Sequence, residues 1–75
     1  MIETILYIYE KGWVMKFIPY HDKIAVNLYV EIKGVQFTEE ILISKDIKSE
    51  TELSISILRA ATRLENRIKT FNQSK

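Results

Sequence analysis

The sequence predicts an α+β fold: an antiparallel meander of three strands, or four if the N-terminal stretch is extended, with a long C-terminal helix laid across one face. Three observations carry it. From Lys23 to Ile32, the side chains of Ile24, Val26, Leu28, Val30 and Ile32 fall on one side of an extended strand, the period-two alternation of a strand with one buried and one wet face. A Lys33-Gly34 pair then separates this run from a second apolar one that ends near Ser44, and such a pair reads as a tight hairpin turn. Finally, Leu53, Ile57, Ala60, Ala61, Leu64, Ile68 and Phe71 recur at helical spacing and predict one buried stripe.

Seventy-five residues make one domain, and a domain of this size buries only ~60% of the surface its unfolded chain exposes. With no cysteine there is neither a disulfide framework nor a thiolate metal site, so apolar packing and oligomerisation are the available stabilisers. That composition suits a reducing, cytoplasmic setting. No uninterrupted apolar segment approaches the ~18 residues of a membrane span, so a soluble protein with no membrane partner is expected. Residues 1–43 hold four lysines against six acids, a balance of −2, and residues 44–75 hold seven basic groups against four acids, a balance of +3. The net +1 does not describe a protein that coats nucleic acid generically. Usage rich in Ile and Lys and poor in Ala, Gly and Pro is the style of AT-rich genomes, low-GC bacteria and their phages among them.

Residues 2–11 admit two readings. Ile2, Ile5, Leu6 and Tyr9 recur at helical spacing, yet the run is dense in β-branched and aromatic residues that favour strands. In the preferred reading a short helix ends at Gly12 as its left-handed C-terminal residue. In the other, Glu10-Lys11-Gly12 is a hairpin loop. From Trp13 to Tyr20 the chain is extended, and Pro19, which cannot donate to a ladder, assigns it to a sheet edge.

With His21-Asp22 as the turn, Phe17 faces Val26, Met15 faces Leu28 and Trp13 faces Val30. Through the Lys33-Gly34 turn, Val35 comes opposite Ile32, Phe37 opposite Val30, Ile41 opposite Val26 and Ile43 opposite Ile24. Glu39 breaks this pattern by facing the core opposite Leu28, and a bulge at Glu39-Glu40, rather than a basic partner, is the expected remedy. Lys45 to Lys48 read as a short polar connection. Ser49-Glu50-Thr51-Glu52 fits a capping box opening a helix to about Phe71, and the tail from Asn72 to Lys75 is expected to fray.

The resulting order, α-β-β-β-α, resembles the double-stranded RNA-binding domain in length and layout over nearly the whole chain. That family places a Lys-Lys-x-x-Ala-Lys type motif at the start of its last helix to grip phosphates. Here the position reads Ser49-Glu50-Thr51-Glu52-Leu53, acidic where that family is basic, so the resemblance is one of topology and no RNA-contacting residue carries over.

No stretch carries catalytic chemistry, and the chain reads as a non-enzyme without cofactor or metal. The only histidine, His21, stands beside Asp22 in a turn, where such a pair is turn chemistry rather than a dyad. Glu50 and Glu52 suit a helix N-terminus, and Glu39-Glu40 lack the further oxygen ligands a hard cation needs. Two glycines, both in turns, leave no loop to cradle a phosphate.

Two surfaces remain as candidates for binding. Arg59, Arg63 and Arg67, with Lys69, form a basic stripe on the C-terminal helix. Like charges at that spacing repel mildly, so the arginines either lean over sheet acids such as Glu31, Glu39 or Glu40, or track phosphates or an acidic partner. The other candidates are apolar: Ile55 and Leu58 lie opposite the helix's buried stripe, and the outer sheet face displays Val14, Ile18, Tyr20, Ala25, Tyr29 and Leu42. One helix cannot cover both faces of a sheet, and an aromatic and aliphatic group of this extent is rarely left in water.

The function expected is therefore that of a small interaction module, a homo-oligomer contacting itself or a partner protein through Ile18, Tyr20, Tyr29, Leu42, Ile55 and Leu58. It would act by occluding that partner, in the style of phage or mobile-element inhibitors of a host factor. Alternatives are a nucleic-acid-binding module using the arginine stripe, and a nucleotide binder stacking a ring on Trp13, Tyr20 and Tyr29 between subunits.

Overall fold

Residues 2–11 become a helix because Gly12 can close one. In the computed structural model, which describes residues 2–44, 46–47 and 49–73, α1 spans Ile2–Glu10. Gly12 takes φ 76°, a left-handed conformation open to glycine without steric cost. Its amide donates to the Tyr9 carbonyl at 2.9 Å and the Trp13 amide to the Ile8 carbonyl at 3.4 Å, the paired bonds of a Schellman C-terminus. The helical reading is thus the correct one, and it takes the Trp13 amide. The ladder starts one residue later, at Val14, so the expected Trp13–Val30 pair is not made.

Three antiparallel strands follow in the order β1 (Val14–Pro19), β2 (Lys23–Ile32) and β3 (Val35–Ser44). Pro19 lies on an edge strand, as expected. Around His21-Asp22 the Tyr20 amide donates to the Lys23 carbonyl at 2.8 Å. The second turn places Lys33 at φ 53° and Gly34 at φ 80°, two consecutive positive values that mark a type I′ hairpin. The expected register holds at every pair within the strands: Met15 opposite Leu28, Phe17 opposite Val26, Phe37 opposite Val30, Ile41 opposite Val26 and Ile43 opposite Ile24.

Glu39 does stand opposite Leu28, but the pairing runs unbroken from Lys23–Ser44 to Ile32–Val35. The expected bulge at Glu39-Glu40 is therefore not formed. A basic partner supplies the remedy instead, as described below.

After β3 the Ser44 hydroxyl accepts from the Asp46 amide at 3.1 Å, and the Ile47 amide donates to the Ser44 carbonyl at 3.2 Å. Ile47 packs against the core, so this connection is less polar than expected; Lys45 and Lys48 lie outside the described residues. The Ser49 hydroxyl then accepts from the amides of Thr51 and Glu52 at 3.1 and 3.4 Å, capping α2 (Glu50–Gln73). The helix runs two residues past the expected Phe71, through Asn72 and Gln73, while Ser74 and Lys75 lie outside the described residues.

Both helices lie on one side of the sheet. Ile8 of α1 and Ile57, Ala60, Ala61 and Leu64 of α2 form one buried cluster with Val26, Leu28, Phe37 and Ile43. Leu53, Ile68 and Phe71 flank it, half-buried, so all seven residues of the expected stripe face the core. Among the described residues nothing covers the opposite face of the sheet. The described residues make two layers, and the Cα trace measures 43 × 24 × 16 Å.

Candidate interaction surfaces

A thin plate of this shape leaves more surface in water than its mass requires. The chain exposes 5361 Å², where the scaling for folded monomers gives ~4,800 Å² at 8.9 kDa. Where the excess lies follows from the register. Across the outer face, cross-strand neighbours form rows: Ile18–Ala25–Leu42, then Lys16–Asn27–Glu40, then Val14–Tyr29–Thr38. Apolar and polar rows alternate.

Leu42 is 60% exposed and Val14 and Tyr20 are also exposed, while Ile18 and Tyr29 are half-buried. The exception is Ala25, expected on the surface but fully buried. Its methyl is short, and the longer Ile18 and Leu42 flank it on either side. The Tyr29 hydroxyl leans toward the Glu31 carboxylate at 3.5 Å, and the Lys23 ammonium lies 5.6 Å from the centre of the Tyr20 ring. Ile18, Tyr20, Tyr29 and Leu42 thus share one face. Ile55 and Leu58 belong elsewhere, exposed on α2 in a shallow groove with Arg59, Thr62 and Arg63.

A second apolar surface was not anticipated. In α1 the buried positions are Thr4 and Ile8, one turn apart, and Ile2, Leu6 and Tyr9 point to solvent. The spacing that looked like a core stripe is mostly the outward side. Phe17 has the inward parity of Val26, yet it is 48% exposed, because α2 lies over β2 and β3 and does not approach the edge strand β1. The one sequence signal for this surface is that α1 carries more large apolar residues than a nine-residue helix can bury on one side.

The arginine stripe is brought to Glu39. Arg63 Nε lies 2.9 Å from Glu39 Oε1, and Arg67 Nη1 lies 2.8 Å from Glu39 Oε2 and donates to the Thr38 carbonyl at 2.5 Å. The Arg67 guanidinium also sits 5.9 Å from the centre of the Phe37 ring. The Glu39 side chain is 16% exposed and both guanidiniums are about half exposed. The Arg63 hydrogen bond, assisted by Arg67 and opposed by burial, holds the Glu39 carboxyl below the usual carboxylate range. Arg59 is exposed and makes no ion pair among the described residues, and Lys69 lies near Glu65. Two members of the stripe, Arg63 and Arg67, thus lean over a sheet acid, the first of the two alternatives the sequence leaves open.

A second ionic knot fastens α1 to α2. The Lys11 ammonium lies 3.1 Å from Glu65 Oε2, and the Tyr7 hydroxyl donates to Glu65 Oε1 at 2.8 Å. Lys11 is further flanked by the Tyr7 and Trp13 rings at 4.8 and 5.3 Å. The Tyr7 and Lys11 hydrogen bonds lower the Glu65 pKa. For Lys11, burial alone would lower the pKa, but Glu65 and Tyr7 together outweigh it and the net shift is upward. Trp13, packed against the core, and Tyr29, on the outer face, lie on opposite sides of the sheet, so the rings of the nucleotide reading do not converge within one chain. Among the described residues no three His, Cys, Asp or Glu side chains form a metal-holding group, and no helix is long and apolar enough to cross a membrane.

Both carboxylates have folded pKa values below their unfolded ones, so the stability they contribute is complete above about pH 4.3 and lost as pH falls through the lowered values. Arg63→Ala/Arg67→Ala is expected to cost about 1–2 kcal/mol near neutral pH, less than for a fully buried pair because the guanidiniums are half exposed. It should also flatten the acid limb of the stability profile. Glu39→Leu, which removes the charge rather than its partners, should cost less. Urea denaturation across pH checks both, and an unchanged acid limb in the arginine variant contradicts this role.

Comparison with family models, curated proteins and solved structures finds no match.

Proposed function

We propose that this chain is a non-enzymatic interaction module. It pairs with a second copy of itself through the outer sheet face and presents its helical side to a partner protein, which it occludes in the manner of an inhibitor. The observation that carries this reading is a pair of apolar rows, Ile18–Ala25–Leu42 and Val14–Tyr29, separated by the Lys16–Asn27–Glu40 row, on a face that no element of the described chain covers. Burying these rows against a second copy gains roughly 25 cal/mol per Å² of apolar surface.

Pairing through that face leaves α1 pointing outward in both copies. Ile2, Leu6 and Tyr9, with Phe17 on the same side of the sheet, then form the surface offered to the partner. An apolar helical ridge suits a groove, and its occupation by this chain would exclude the groove's ordinary ligand. The ring of Tyr9 and that of Phe17 are of the kind that dominate interface energetics.

Isotope-filtered NMR on a mixture of labelled and unlabelled chains tests the reading. Intermolecular contacts are expected from Ile18, Tyr29 and Leu42 and not from Ile2 or Leu6. Contacts arising only from α1, or none in a concentrated sample, contradict it.

A further inference from the structure

The outer face also specifies how two copies would be arranged. Between its two apolar rows lies Lys16–Asn27–Glu40, with a cation on β1, an anion on β3 and a neutral amide between them on β2. Lys16 and Glu40 are exposed, and neither has an ion-pair partner among the described residues. They are two strands apart, roughly 10 Å, and form no ion pair with each other in the single chain. Together they form a face that is charged at both sides and self-complementary under only one of the simple two-fold operations.

Two sheets packed face to face lie about 10 Å apart with their strands nearly aligned. A two-fold axis lying between the sheets and running along β2 exchanges β1 with β3. It therefore places Lys16 over the second copy's Glu40, and Glu40 over its Lys16. The same operation sets Ile18 over Leu42, Ala25 over Ala25 and Tyr29 over Tyr29, so apolar rows meet apolar rows. An axis across the strands, through Asn27, does the reverse: it sets Lys16 over Lys16 and Glu40 over Glu40, which repel. Resting on the self-association reading above, we infer that the chain forms an isologous face-to-face dimer whose two-fold axis runs along β2, with Lys16 and Glu40 as reciprocal ion pairs fixing the register.

The area available is small. Strands of up to ten residues and a width of three strands, the edge strand β1 being only six residues long, give a face of at most roughly 33 by 14 Å, or about 900 Å² over two copies before side-chain relief, in the range of weak, transient interfaces. The dimer is accordingly of the kind that dissociates on dilution in the micromolar range.

The test is a charge exchange read by sedimentation equilibrium. Lys16→Glu and Glu40→Lys each create two like-charge contacts per dimer and should weaken association about tenfold. An equimolar mixture of the two variants restores both contacts as opposite charges, as does the doubly exchanged Lys16→Glu/Glu40→Lys chain. Both should recover association to within about threefold of wild type. Both positions are exposed, and far-UV circular dichroism verifies that each variant folds. Single variants that associate as well as the wild type overturn the arrangement while leaving self-association standing. A wild-type chain that stays monomeric removes both.

Discussion

Leu28→Ala is expected to cost about 3 kcal/mol, the largest loss from any single truncation in the chain. Leu28 is fully buried at the middle of β2, the central strand, with Met15 and Glu39 beside it on the two neighbouring strands and α2 over it. Removing its isobutyl group opens a cavity that the sheet cannot close, because hydrogen-bonded neighbours on both sides hold the strand in place. For a chain of this length the whole stability is about 4–11 kcal/mol, so one substitution removes a large part of it. Urea denaturation at one fixed protein concentration is the measurement, since self-association would otherwise shift the midpoint. Phe17→Ala, at a half-exposed site of the same parity, is expected to cost less than about 1 kcal/mol. A loss at Leu28 no greater than that at Phe17 would show that the core is not centred where the packing places it.

Leu42→Lys should act oppositely, leaving the fold intact and abolishing self-association. Leu42 is exposed in the single chain, so a polar replacement there changes the stability of one copy by no more than about 0.5 kcal/mol. In the dimer it stands over the second copy's Ile18, and the two-fold doubles every change. Two lysines would each lose an apolar contact and strand a charge against an aliphatic side chain, weakening association by about a hundredfold or more. Leu6→Lys on α1 is the control, because it should leave self-association unchanged and act only on the partner surface. Equal effects of the two would mean that the face covered in solution is not the outer face of the sheet.

Much of the fold is legible in the sequence because the signals are local. Period-two alternation and two short turns determine the register of all three strands, Gly12 marks the end of α1, and Ser49 marks the start of α2. What escapes is what depends on where the helices lie. Along the strand alone an inward carboxylate at Glu39 looks like an error in register, and a bulge is the remedy it predicts. Its rescue comes from Arg63 and Arg67, 24 and 28 residues further on, on a helix lying over β3 at the right height.

Phe17 shows the same limit. Parity gives the side it faces but not whether anything covers that side, and an edge strand beyond the reach of α2 stays half open. In α1, apolar residues occur nearly all round the helix, so spacing cannot distinguish the buried Thr4–Ile8 side from the outward Ile2–Leu6–Tyr9 side. The outer-face candidates, by contrast, follow from parity alone, and the structure places Ile18, Tyr20, Tyr29 and Leu42 on one face.

Sedimentation equilibrium of the wild-type chain over a dilution series, beside Leu42→Lys, tests most directly whether a second copy covers the outer sheet face. The weight-average mass of the wild type is expected to rise from near the single-chain 8.9 kDa toward twice that value between about 1 μM and several hundred μM. The mass of Leu42→Lys should stay at the single-chain value throughout. A wild-type mass that never leaves 8.9 kDa, or a Leu42→Lys curve that follows the wild type, would contradict it.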